Sequence, residues 1–280
     1  MELTHTLRSL MRVRLSKFAA VVLGMTILVA VLAPWLAPHD PIKSKPWDSL
    51  HPPSGQYWLG ADRLGRDQLS RLIYGARVSL VIGIGGVGIA VCLGMFIGVT
   101  AGWYGGMWDE LLMRVMDGLS AFPGLLLALS LVAITGGTMV NIIVVVGIVG
   151  TPWVARVTRS QVLSLREREF IVAVRGLGAR PARIMLRHLL PNCLAPIIVQ
   201  ASLSVAAAIL LEAGLSFLGV GVKPPTPTWG GMLRHAFETV AQAPWLTVSP
   251  GVVIFLIVLA FNFFGDALRD VLDPRLRGTR

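Results

Sequence analysis

Six apolar runs divide the chain: residues 18–36, 81–102, 119–134, 139–157, 194–218 and 248–264. Runs of this kind approach or match the roughly 20 residues that carry a helix across a bilayer. Hydrocarbon holds no water to satisfy backbone N–H and C=O groups, so a spanning segment is either a helix or part of a closed barrel. The runs are apolar on every side rather than alternating, which selects helices. The expected fold class is all-α, a polytopic membrane protein with six transmembrane helices. Only 14% of the residues are charged and 54% are hydrophobic, whereas about a quarter are charged in a soluble domain. The formal charge is +10, from 25 Lys and Arg against 15 Asp and Glu. In a soluble chain that excess would point to nucleic acid. Here no nucleic-acid partner is expected, because basic residues collect in cytoplasmic loops.

The distribution of those cations sets the expected orientation. Residues 1–17 hold four, 103–118 one, 156–187 eight and the C-terminal tail four; 37–77 holds six and 219–247 two. The bias puts both termini and the 156–191 loop in the cytoplasm. The run 18–36 is longer than the hydrophobic region of a leader peptide, and Pro34 and Pro38 crowd any cleavage site, so it is expected to be the first membrane span. Cys92 and Cys193 both lie in or beside apolar runs and are expected to be packing residues rather than a disulfide.

The most basic segment, 166–191, carries Arg166, Arg168, Arg175, Arg180, Arg183 and Arg187. Its punctuation predicts two short helices and an elbow. Gly176 and Gly178 break the first helix, since glycine tolerates positive φ. Pro181 suits the first turn of the second, where a missing N–H costs nothing, and Pro191 is expected to end it. Arg180, Arg183 and Arg187 share one helix face, with Ala182, Met185, Leu186 and Leu189 on the other. An amphipathic helix of this kind is shaped to dock in a groove of another protein.

Elsewhere, residues 58–80 predict a loop running into an amphipathic helix at the outer interface, with Leu69, Leu72 and Ile73 toward lipid and Arg66, Asp67 and Arg71 toward water. Ala90, Gly94, Gly98 and Gly102 recur every four residues, the spacing that lets helix backbones approach closely in lipid. Residues 103–118 predict an amphipathic cytoplasmic connector. Glu212 is the one acid inside a span, so it either faces the pathway or is a hydrogen-bonded structural carboxyl. There is no G-x-x-x-x-G-K-[ST] phosphate loop, no His pair with metal spacing and no G-x-S-x-G, so neither ATP hydrolysis, a metal site nor an acyl-transfer nucleophile is expected. A stand-alone secondary transporter would need more charge inside the spans or an inverted repeat, and neither is visible.

Several of these segments resemble one family. Permease subunits of bacterial ABC importers carry a cytoplasmic loop patterned E-A-A, three residues, Gly, nine residues, I-x-L-P. In this chain Ala173 falls at the first alanine, Gly178 at the glycine, and Leu190 and Pro191 at the L-P. Val172, Val174 and His188 stand where Glu, Ala and Ile are usual. The form GLGARPARIMLRHLLPN resembles the peptide and nickel branch, as do WLGADRLGRDQLSRLIYGARVSL at 58–80 and EAGLSFLGVGVKPPTPTWGGML at 212–233. The resemblance implies a type I ABC importer permease fold in the cytoplasmic membrane, with an N-terminal unit at 1–77 and a permease core at 78–280. It implies a second, similar permease, two ATP-binding subunits and an extracytoplasmic solute-binding protein as partners, besides membrane lipid. ATP and Mg would sit on the partners, leaving this chain with no cofactor and no catalysis. Coupling would fall to Ala173, Gly176, Gly178, Ala179, Pro181, Arg183, Arg187, His188, Leu190 and Pro191. The implied cargo is a di- or oligopeptide; nickel and glutathione carriers share the pattern.

Overall fold

The structure, a computed structural model, describes residues 14–272. The basic residues at positions 8 and 12 and those of the tail beyond 272 lie outside the described residues. Nine helices succeed one another among those described: α1 Arg14–Val31, α2 Gln68–Tyr104, α3 Gly106–Ser120, α4 Gly124–Thr135, α5 Met139–Leu165, α6 Glu169–Gly176, α7 Pro181–Phe217, α8 Trp229–Phe237 and α9 Trp245–Leu272. One-turn pieces at Ala33–Leu36 and Pro46–Asp48 punctuate the loop after α1. The chain is all-α as expected. Among the described residues four helices, α2, α5, α7 and α9, are long and apolar enough to cross a membrane.

The other two expected spans take different forms. The run 119–134 is not a straight span: α4 has 12 residues and meets α3 at 91°. Pro123 stands at its N-cap with φ −54° and ψ 127°; proline holds the residue before it out of the helical region, which favours a break there. The run 18–36 forms the shorter α1, which packs Ala19 and Leu23 against Ala260 of α9.

The bundle is organised by α2, whose 37 residues reach about 55 Å at 1.5 Å per residue, well beyond the hydrocarbon thickness. Asp67 caps its start: the carboxylate accepts the Ser70 N–H at 2.8 Å and the Ser70 hydroxyl at 2.6 Å. This helix corrects the outer-interface expectation. Residues 68–80 are not a separate interfacial helix but the first turns of the span, and positions 77 and 78 sit within it. Arg66, Asp67 and Arg71 do not face water; they are 6%, 2% and 4% exposed. Arg66 pairs with Asp62 at 2.6 Å, Arg71 approaches the same carboxylate at 3.6 Å, and the Arg71 guanidinium donates to the Pro41 carbonyl at 2.8 Å. Around this core the 38–67 loop wraps buried Tyr57, which donates to Asp48 at 2.7 Å. Burial together with Asp48 raises the Tyr57 phenol above its ordinary pKa, so it remains a donor.

Against α2 lies α5, seated on the small residues. A Cβ on Gly94 would stand 2.6 Å from Val154 Cβ, one on Gly98 2.5 Å from the Ala155 carbonyl oxygen, and one on Gly102 2.9 Å from Val162 Cβ. The i, i+4, i+8 glycines therefore form the groove in which α5 runs. At the far end the connector α3 is tied to α5: Arg159 binds Asp109 through two bonds of 2.5 and 2.6 Å, and Arg156 reaches Asp117 at 3.0 Å. Asp109 is only 14% exposed. Asp109→Ala is expected to lower stability by about 2 kcal/mol, because it strands a partly buried guanidinium. A fall in the midpoint of thermal unfolding in detergent would register this, and an unchanged midpoint would contradict it.

Candidate coupling loop

The segment after α5 folds as the punctuation predicts, through one specific device. Helix α6 ends at Gly176, Leu177 caps it, and Gly178 takes φ +77°. The Gly178 N–H donates to the Arg175 carbonyl at 3.0 Å and the Ala179 N–H to the Val174 carbonyl at 3.3 Å. This pair of bonds is the Schellman arrangement, which needs a left-handed residue at the position Gly178 occupies. Its apolar clasp is present, since Val174 and Ala179 both pack on the cluster beneath. Arg180, with ψ 144°, then caps α7 and Pro181 opens it. The resulting elbow is held to the bundle by Ile171, Ile184 and Leu189, each at most 1% exposed, packing with Val99, Val162, Cys193 and Ile197. Arg166 donates to the Gly102 carbonyl at 3.0 Å, and the Arg175 guanidinium lies 5.7 Å from the Trp103 ring centre.

Two expectations need correcting. Pro191 does not end the helix. The turn Met185–Leu189 is wound as π-helix, and the Leu190 N–H donates to the Met185 carbonyl. The wider turn moves the ring of Pro191 away from the carbonyl it would strike in an α-helix, so the loop helix continues into the membrane span as one element, α7. The buried face also differs. Ala182 and Leu186 are exposed, whereas Ile184 and Leu189 are buried, because the face is chosen by the helix ends below and the π turn rotates the residues after it.

Of the coupling candidates, Ala173, Gly176, Gly178, Pro181, Arg183, Arg187 and Pro191 are exposed, and Ala179, His188 and Leu190 are half-buried. Gly178, Ala179, Arg180, Arg183, Arg187 and His188 share one concave surface with Leu177. Leu177 is 87% exposed and Leu186 67%. Among the described residues, nothing covers these side chains.

Glu212 lies far from the loop and is fully buried. Its carboxyl accepts the Ser216 hydroxyl at 2.7 Å and that of Ser79 at 3.2 Å, tying α7 to α2. This geometry favours the structural reading over a pathway-lining one. Glu212→Leu is expected to cost about 2–4 kcal/mol by stranding two buried hydroxyls, and Glu212→Gln much less. Comparison of their unfolding midpoints decides it; equal losses would weaken the hydrogen-bond account. The buried cluster of Asp62, Arg66 and Arg71 escaped sequence reasoning, and its only signal there was the density of paired signs at 62–71.

The bundle shares its architecture with a chain of the MetNI methionine ABC transporter, crystallised in an inward-facing conformation: TM-score 0.59 and 17% identity, over 73% of this chain and 97% of that one. The class is thus the type I ABC importer permease fold. The family model described as "Binding-protein-dependent transport system inner membrane component" matches residues 94–278, and that for the "N-terminal TM domain of oligopeptide transport permease C" matches 3–53. The chain belongs to this family, as a multi-pass permease subunit of an ABC importer of the C type. The dipeptide transport system permease protein DppC of Alkalihalophilus pseudofirmus is 42% identical over 270 residues, 96% of this chain and 89% of that protein. The glutathione transport system permease protein GsiD of Shigella sonnei is 43% identical over 272 residues, 97% of this chain and 90% of that protein.

Proposed function

We propose that this permease carries small peptides inward across the cytoplasmic membrane, in a complex with a second permease, two ATP-binding subunits and an extracytoplasmic binding protein. The observation that carries the coupling half is the elbow at Gly178, an exposed surface of Leu177, Leu186, Arg180, Arg183 and Arg187 held on buried Ile184 and Leu189. A large apolar side chain so exposed beside uncompensated arginines fits a groove on another protein. Because α7 runs unbroken from this surface into the membrane, a push on the loop is transmitted to the span as a rigid displacement. ATP and Mg are bound by the partners, and this chain contributes no catalysis. Both termini lie on the cytoplasmic side with the loop. The cargo reading rests on the relatives, one a dipeptide permease and one a glutathione permease, whose named cargoes are both short peptides.

Charge reversal tests the coupling surface. Purified with Arg183→Glu and Arg187→Glu together, the permease is expected to lose its co-purifying ATPase while still reaching the membrane. Full retention of the ATPase would place the docking surface elsewhere.

A further inference from the structure

At the end of α2 opposite the coupling loop, a cavity of about 370 Å³ opens to the surface, lined by Arg63, Arg66, Arg71, Arg234, His235 and Glu238, among others, with Arg234 exposed at it. Arg71 and Gly102 lie about 46 Å apart along the helix at 1.5 Å per residue. That is more than the hydrocarbon core, so the cavity and the coupling loop open on opposite sides of the membrane. Its lining comes from the segment before α2 and the first turn of α2, from Pro224, from α8 and the residue after it, and from the start of α9.

The charges in it do not balance. Asp62 is shared by Arg66 and Arg71, and Glu238 is taken by Arg63 at 2.7 Å. Arg234 makes no hydrogen bond or ion pair with any described residue, yet its position is built. Gly219 adopts φ +86°, and a Cβ there would overlap the Arg234 guanidinium. A second, smaller hollow shares Arg71, Pro224, Arg234 and His235 and adds Lys223. His235, half-buried beside Arg66, has its pKa lowered by burial and by that charge, so near neutral pH it contributes a hydrogen-bonding imidazole and no positive charge. An uncommitted guanidinium with a buried arginine behind it is suited to a carboxylate, which accepts two parallel N–H bonds.

We infer that this cavity is a carboxylate subsite for cargo on the outer face of the permease, with Arg234 as the principal contact. The volume is that of a small-molecule pocket, whereas a docking protein would need a broad surface. The inference deepens the peptide-permease reading and rests on it: every free peptide ends in a carboxylate, so one fixed cation serves many side-chain sequences.

The test uses the complete transporter in nanodiscs without its binding protein, with tryptophan fluorescence reporting the binding of dialanine and of dialaninamide. Dialanine is expected to bind at least about tenfold more tightly than the amide, as loss of a charge-assisted bond predicts. Arg234→Gln should remove that difference and Arg234→Lys should restore part of it. Equal binding of acid and amide, or unchanged binding by Arg234→Gln, overturns the subsite. Docking of the binding protein is measured on the same variants. If Arg234→Gln weakens docking and leaves dialanine binding intact, the cavity receives a protein carboxylate and the cargo assignment fails. Acetate, the simplest carboxylate without a peptide bond, separates the two readings. Acetate binding that needs Arg234, without dialanine binding, upholds the carboxylate subsite and sinks the peptide reading. Normal dialanine uptake with no Arg234-dependent binding does the reverse.

Discussion

With Gly178 replaced by proline, uptake by the assembled transporter is expected to fall at least about a hundredfold, the equivalent of roughly 3 kcal/mol of lost coupling, while the amount of permease in the membrane stays unchanged. Three constraints converge on that residue. Its φ of +77° lies in the left-handed region, whereas proline is fixed near −65°. Its N–H, which proline lacks, closes the elbow onto the Arg175 carbonyl at 3.0 Å. Leu177, at φ −77° and ψ 5°, occupies a conformation that a proline placed after it disfavours. The elbow must therefore open. Ile171 anchors α6 as Ile184 and Leu189 anchor the start of α7, so the distortion falls on the Leu177–Arg180 link between them and changes the angle at which the two helices meet. Gly178→Ala makes the graded control: a Cβ there meets nothing within 4 Å, so the cost is the left-handed conformation alone, about 1–2 kcal/mol. Uptake per transporter in proteoliposomes is the measurement. Undiminished uptake by the proline variant would show that the elbow's angle does not transmit motion.

Gly98→Leu is expected to leave no stable permease. The Cβ alone would stand 2.5 Å from the Ala155 carbonyl oxygen, 2.6 Å from Thr158 Cβ and 2.9 Å from the Arg159 backbone nitrogen. Two of these three are backbone atoms of a helix and have no rotamer to change. Relief requires α2 and α5 to separate, which also empties the contacts at Gly94 and Gly102. Overpacking of this kind costs about 3 kcal/mol or more, and in lipid no hydrophobic force restores the interface, since close packing is what holds such helices together. Gly88, on the same helix, has nothing within 4 Å of its Cβ position, so Gly88→Ala should be tolerated. Monodisperse yield after detergent extraction distinguishes the pair. Equal yields would mean that the glycine stripe is not the fit on which the bundle depends.

Much of this molecule was readable in one dimension, for reasons that are local. Apolar length dictates helices because the bilayer offers backbone groups no alternative. Gly178 and Pro181 mark the elbow because each fits a backbone state that most residues resist. The four-residue glycine spacing announces a close helix contact, although nothing in it says that α5 is the partner. Errors arose where a tertiary contact, such as the Pro41 carbonyl 30 positions from Arg71, or a change of helix type decided the outcome. Arg66, Asp67 and Arg71 read as a wet face because charges end apolar runs; they are buried because Asp62 and the Pro41 carbonyl meet the two arginines there. Pro191 read as a terminator because the rule concerns α-geometry, and a π turn evades it. The apolar face of the loop helix was assigned by periodicity; Leu189 and Met185 do pack inward as that predicts, but the ends of α2 and α5 take Ile184 in place of Ala182 and Leu186.

The sequence by itself determined that this chain is a helical membrane protein with a glycine-hinged basic loop, because the cost of unsatisfied backbone in lipid and the φ limits of glycine and proline act within a few residues; that it is a permease came from its resemblance to a family. Only the tertiary structure decided which charges are buried, that the loop continues unbroken into a span, that the run 119–134 bends rather than crosses straight, and that Arg234 stands uncommitted over Gly219. Those outcomes depend on where the folded chain places a carbonyl, a covering segment or a free space, and no short window of residues contains that information.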